Sequence, residues 1–216
     1  AAAVTGLTNG SAEDVTVGSE AAPQQVTFDV SIEEGDVDVP VTVDLSAATG
    51  AGVVPSVNDV SSDSDDVSVT DDGITSGTHT VNLNDTNTSN GAHSVTITVN
   101  YEHDTSDATA ANDVEFTIAN STTGSTPATF DLLDVSPSYD PDSELYYAGQ
   151  EIDVSGLAQN ADYQLREVTE RNDVGDTITS SSPVEGFSTD AAGNYTIDTG
   201  DLETGDYFLR GPGIGD

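Results

Sequence analysis

Residues 24–32 read QQVTFDVSI and residues 38–46 read DVPVTVDLS. In the first stretch Val26, Phe28, Val30 and Ile32 fall on one face of an extended chain. In the second, Val39, Val41, Val43 and Leu45 do the same. An apolar repeat of two residues is the pattern of a strand with one face buried and the other in water. Between the two runs lies EEGD (33–36), which reads as a hairpin turn. The alternation continues outward through VTVGS (15–19), Val67–Val69, THTVNLN (78–84), AHSVTITVNY (92–101) and NDVEFTIAN (112–120). TNTSNGA (86–92) supplies a second connection rich in turn-forming residues. No stretch keeps a helical period. Short strands in this number predict an all-β, antiparallel, immunoglobulin-like sandwich. With Cys 0 and Trp 0, the Cys…Trp…Cys hallmark of true immunoglobulin domains is missing, so the expectation concerns architecture alone.

NSTTGSTPAT (120–129) has no charge and no large side chain, and its Ser/Thr density with Pro127 reads as a linker. The expected division is therefore a first sandwich over residues 1–125 and a second, smaller one over 126–216. The second series of strands comprises TFDLLDVSPS (129–138), GQEIDVSGLA (149–158), DYQLREVTE (162–170), TITSS (177–181), GNYTID (193–198) and DYFLRGP (206–212). Most aromatic residues fall in this half, predicting a richer aromatic core there. The chain stops at GPGIGD directly after a strand, so a longer parent protein with further domains is expected.

Charge sets the habitat. The stretch SVNDVSSDSDDVSVTDDG (56–73) carries six aspartates and no cation. Over the whole chain Lys+Arg is 3 against Asp+Glu 40, a formal net charge of -37. The three cations are Arg166, Arg171 and Arg210, so residues 1–165 have none. In dilute buffer such a chain repels itself. At ~1 M salt the Debye length falls to about 3 Å and most of that repulsion is screened. The alternating apolar runs argue for a fold and against an acidic tail, so an extreme halophile is the expected source. Nucleic acid is excluded as a partner by charge of the same sign.

Cys 0 excludes disulfides, thiolate metal sites and thiol nucleophiles. The start AAAVTGL reads as a mature end left by removal of a secretory signal. No apolar run reaches the length of a membrane span.

Five sequons, Asn-x-Ser/Thr, stand at Asn9, Asn84, Asn87, Asn120 and Asn194, making covalent N-glycans an expectation. The Ser/Thr tract 121–128 is a candidate for O-linked sugar. YDPDSEL (139–145) spaces Asp140, Asp142 and Glu144 two apart, which in a loop turns several oxygens toward a hard cation such as Ca2+ or Mg2+. Asp63, Asp65 and Asp66 form a second candidate ion site. His79 and His93 fall in neighbouring predicted strands, without metal-ligand spacing. There is no Gly-x-Ser-x-Gly elbow, no phosphate-cradling glycine loop and no His–Glu metalloprotease motif, and the chain is not expected to be an enzyme.

YYAGQEIDVSGLAQNADYQLREV (146–168) and FSTDAAGNYTIDTGDLETGDYFLRGPG (187–213), together with AAAVTGL, resemble the surface-layer glycoproteins of halophilic archaea. The first half matches that family only in texture. The resemblance implies a secreted, N-glycosylated structural protein whose tandem immunoglobulin-like domains tile the cell surface. It also implies divalent cations that support assembly, and a C-terminal anchor beyond this chain. The expected partners are copies of the same chain, joined through cation-bridged acidic faces. The alternatives are a filament or pilus subunit assembled by strand donation, with AAAVTGLTNGSAEDVTV (1–17) as the donated strand, and a surface adhesin presenting an aromatic patch near Tyr146 and Tyr147.

Overall fold

QQVTFDVSI forms most of strand β3 (Ala22–Ile32), where buried side chains alternate with half-buried ones and the exposed Gln25. The computed structural model describes residues 4–172, 174–175 and 177–214. Ala1–Ala3 of the expected mature start and the last two residues of GPGIGD lie outside the described residues. β3 lies in a four-stranded sheet ordered β1-β3-β8-β5, where β1 is Val4–Ala12, β5 Val54–Ser62 and β8 His93–Asp104. DVPVTVDLS supplies β4 (Val39–Asp44) of the opposing six-stranded sheet. That sheet also holds β2 (Val15–Thr16), β6 (Val67–Thr75), β7 (Thr78–Asp85), β9 (Ala111–Asn120) and β10 (Gly124–Leu133), in the order β2-β10-β9-β4-β7-β6. Pairing is antiparallel throughout except for the short parallel contact of β2 with β10.

Both sets of inward residues predicted from the alternation are buried in a shared core. Val26, Phe28, Val30 and Ile32 meet Val41, Val43, Phe116 and Ile118 across it, all with no exposed surface. A one-residue slip of either strand would turn its whole apolar set to water, so the register is fixed by burial. A short helix, α1 (Ser46–Gly50), seats Ala48 in the core on the way from β4 to β5. The acid-rich stretch 56–73 becomes the two edge strands β5 and β6 and the turn between them, with Asp59, Asp65, Asp71 and Asp72 exposed. Carboxylates on an edge discourage pairing with another chain.

Two expectations are corrected here. NSTTGSTPAT is not a linker: Asn120 to Gly124 turn the chain, and β10 then pairs with β9 from Gly124 onward. Ala128, Phe130 and Leu132 are buried in the first core, so the boundary expected between residues 125 and 126 falls inside a strand. Composition misled because small Thr and Ala residues fill a strand lying close to β1. A Cβ on Gly10 would come within 2.2 Å of the Pro127 carbonyl oxygen. The expected donated strand is also spent within its own chain, since β1 pairs with β3 and Val4 is fully buried.

The second core is formed by two three-stranded sheets. One is ordered β11-β12-β15, with β11 Ser138–Asp140, β12 Glu151–Ser155 and β15 Tyr195–Asp198. The other is ordered β14-β13-β16, with β13 Asp162–Arg171, β14 Ile178–Ser188 and β16 Tyr207–Arg210. Its core is smaller but, as expected, richer in aromatic residues for its size. Tyr163 and Phe187 are buried, Tyr146, Tyr195 and Tyr207 pack against the cluster, and Tyr195 stacks on Phe187 at 3.8 Å. Phe130, however, belongs to the first core, and Tyr147 is 81% exposed. The far halves of β13 and β14 run beyond the core as a two-stranded ribbon. Arg166 donates to the Ser181 hydroxyl at 3.0 Å and the Ser181 carbonyl at 2.9 Å, and Arg171 reaches Asp206 at 3.2 Å. Such a ribbon is marginal by itself; Arg166 ties its two strands together, and Arg171 reaches the segment before β16.

The two units meet at strand ends. The Thr16 amide donates to Gln159 Oε1 at 3.1 Å, Ser19 Oγ donates to the Gln159 carbonyl, and Asn160 Nδ2 donates to the Ala21 carbonyl at 2.8 Å. Ser19 is itself held by Thr105, whose hydroxyl accepts from the Ser19 amide at 3.0 Å and donates to the Thr16 carbonyl at 2.8 Å. Gly18, at φ +87°, leaves room for Pro212, which a Cβ would approach at 2.8 Å.

Candidate functional site

The chemistry-bearing groups of the first unit form a buried hydrogen-bonded chain. His79 on β7 and Tyr101 on β8 point inward in phase with Val81 and Val99. Tyr101 Oη lies 2.8 Å from His79 Nδ1, and His79 Nε2 lies 2.6 Å from Asp71 Oδ1. A carboxylate accepts only, so His79 donates from Nε2, and in the neutral ring Nδ1 accepts from the tyrosine hydroxyl. Asp71 is aimed by a β-bulge in β6 and also accepts from the Gly73 amide at 2.7 Å. Burial, reinforced by the Asp71 charge, pushes the Tyr101 phenol far above its ordinary value, so it stays a donor. The chain meets solvent at Asp71. It satisfies polar groups inside an otherwise apolar core. Tyr101→Phe removes the donor and strands His79 Nδ1; we expect a loss of about 1–3 kcal/mol in chemical denaturation.

A second buried pair stands beside it. Gln24 Nε2 donates to the Glu13 carbonyl at 2.5 Å, which leaves Gln24 Oε1 to accept from His103 Nε2 at 2.7 Å. The His103 ring packs against the Phe116–Phe130 pair, with centroids 6.2 and 6.5 Å away. Burial holds its pKa down to about 4. His93 does not face His79: it opens β8 in the other sheet, and its Nδ1 lies 3.0 Å from the Gly91 carbonyl.

Neither acidic trio becomes an ion site. Among the described residues no three His, Cys, Asp or Glu side chains converge as metal ligands. Asp140, Asp142 and Glu144 are exposed, with Asp140 ending β11 opposite Asp153 and the other two in the bent segment that follows the cis Asp140–Pro141 bond. Asp63 accepts from the Thr96 amide at 2.8 Å, Asp65 is exposed, and Asp66 lies beside Asn90 at 3.5 Å. Both trios fall mainly in bends and turns outside the strands, and their carboxylates point to solvent or to different partners instead of toward one another.

The sequons divide. Asn9 and Asn194 are exposed, and Asn84 and Asn87 half-buried. Asn9 donates to Asp29 at 2.6 Å, holding that carboxyl below its ordinary range, and Asn84 Oδ1 accepts from the Asp38 amide at 2.8 Å. Asn87 Oδ1 accepts from both the amide and hydroxyl of Ser89 at 3.0 Å. Asn194 caps a loop organised by Asp190, which accepts from its amide at 2.8 Å. Asn120 differs: it is 7% exposed and donates to the Pro40 carbonyl at 2.7 Å, leaving no path for a sugar. Asn120 is removed from the glycosylation candidates on that ground.

Two shallow grooves lie on the second unit. One, of about 410 Å3, passes Tyr139, Asp153 and the sequon residue Asn194. The other, of about 670 Å3, lies over the sheet of β14, β13 and β16. Sequence reading missed both the buried polar chain and this groove. The histidines were legible as inward residues from their phase with valine, whereas the groove depends on which residues face each other across strands.

No protein-family description matches the chain, and no curated protein does. Among solved structures, a variant of the major pilin subunit of Bacillus cereus aligns with 94% of this chain and 59% of its own, at 10% identity and a TM-score of 0.35. The unaltered pilin aligns over the same shares at 10% identity and a TM-score of 0.31. A serine-rich repeat protein of Streptococcus agalactiae aligns with 94% of this chain and 83% of its own, at 11% identity and a TM-score of 0.31. The chain thus spans 59% of the pilin's length.

Proposed function

We propose that this chain is a non-catalytic structural module of an extracellular surface assembly that works in concentrated salt. The observation that carries the reading is the clamp through Gln159 and Asn160, which fastens two sandwiches at their strand ends. Charge supports the setting: three arginines against 40 acids leave a formal -37 whatever they pair with. Bare acidic faces repel, so contact between copies depends on screening and on Ca2+ or Mg2+ bridging carboxylates of different copies. Salt also strengthens residual apolar contacts. A planar surface layer of a halophilic archaeon is the form implied by the family resemblance, with glycans at Asn9, Asn84, Asn87 and Asn194. A linear polymer or adhesin stalk is the second form, favoured by the end-joined units. Strand donation from residues 4–12 is set aside, since that strand fills its own sheet.

Light scattering and electron microscopy of the chain in molar sodium chloride, with and without calcium and magnesium, test this. Sheets support the layer and filaments the linear form. Monomers under every condition overturn the proposal.

A further inference from the structure

Gly186 has no role in the fold that explains it. Every other strand glycine does: Gly10 lies against the Pro127 carbonyl, Gly6 against Ser31, and Gly73 and Gly124 adopt positive φ. Gly186 sits inside β14 without positive φ, and a Cβ there would meet nothing within 4 Å. Glycine in a strand interior weakens it, and such a residue often marks close approach by a ligand or another backbone. The strand register places Gly186 opposite Gln164 and Gln164 opposite Arg210, one row across three strands. The adjacent row pairs Ser188 with Asp162, hydrogen-bonded at 2.5 Å. These five residues line the groove of about 670 Å3, with Gly186 as an open floor at its edge. Gly211, also in the lining, is explained differently: a Cβ there would strike the Tyr163 ring at 2.3 Å.

We infer that this groove is a saccharide-binding site. Its lining mixes a carboxylate acceptor, an amide that both donates and accepts, a hydroxyl and a guanidinium, all exposed on a rigid sheet. That set matches the vicinal hydroxyls of a sugar ring and suits an apolar ligand poorly. The volume lies within the range of ligand sites. The bare backbone at Gly186 lets one face of a pyranose chair settle on the sheet between Ser188 and Gln164. A peptide added as a strand at the β14 edge fits less well, because Pro183 and the bulges opposite Arg166 and Glu170 break the ladder such a strand needs.

The site is independent of assembly and is tested on the monomeric chain. In molar sodium chloride, 15N-labelled protein is titrated with a neutral hexose trisaccharide and with an oligohexuronate. Saturable amide shifts centred on Gly186, Gln164 and Gly211 with either probe are expected. Gly186→Val fills the floor, weakening binding by about tenfold or more, while its melting temperature stays level or rises because valine suits an exposed strand with open space. Gln164→Ala, an exposed change that leaves the core untouched, is expected to weaken binding too. No saturable shift with either sugar, or undiminished binding by Gly186→Val, overturns the inference. A Gly186→Val variant that fails to fold also counts against it, since glycine would then have a structural cause.

Discussion

Lowering sodium chloride from molar to about 0.01 M, without divalent ions, should unfold the protein cooperatively at room temperature. The Debye length then grows from about 3 Å to about 30 Å, so carboxylates across the whole surface feel one another. Asp59, Asp71 and Asp72 on the edge strands and Asp65 in the turn between them are exposed close together. Residues 1–165 contain no lysine or arginine to interrupt their field. Against this stands a folding free energy on the order of 5–15 kcal/mol, which repulsion of this kind removes. Circular dichroism across a salt series reads the outcome. A sharp melting transition at an unchanged temperature in dilute, metal-free buffer would sink the halophilic reading and the envelope proposal with it.

The second large effect is acid sensitivity arising from one ring. His103 titrates near 4 in the fold, against an ordinary value of 6.5. Between those two pH values the unfolded chain takes up a proton that the native state refuses. Stability therefore rises with pH across this window, is complete above 6.5, and is lost as pH falls toward 4. The difference corresponds to about 3 kcal/mol. Protonation of surface carboxylates relieves repulsion in the same range and acts the other way. The His103 contribution is isolated by subtracting the pH profile of His103→Leu, whose loss of the Gln24 contact is a constant offset. If the two profiles run parallel from pH 7 to 4, burial is not holding the ring neutral.

Much of the architecture was legible because strand alternation is a local property. Val26 to Ile32 and Val39 to Leu45 declare their inward faces whatever surrounds them. β10 was half legible: Thr129–Leu133 reads as a strand, but Thr126 and Ala128 are as suited to a linker, and only the distant partners β9 and β1 assign the whole strand to the first unit. β1 was read as a strand for a neighbour for the same reason, since its one fully buried residue, Val4, becomes informative only beside Ile32. Candidate sites fared worse still. Sequons and acid spacing are one-dimensional patterns, whereas burial of Asn120 and separation of Asp140 from its neighbours follow from tertiary placement. The Gly186 groove is invisible in the chain order, where Gly186, Gln164 and Arg210 stand far apart.

The grip of Gln159 and Asn160 on the first unit restrains an elbow that would otherwise swing. A neighbour that orients one sandwich thereby biases the other, so angular error between the halves of a molecule is reduced. In an array of many copies, long-range order depends on that stiffness as much as on the contacts between molecules.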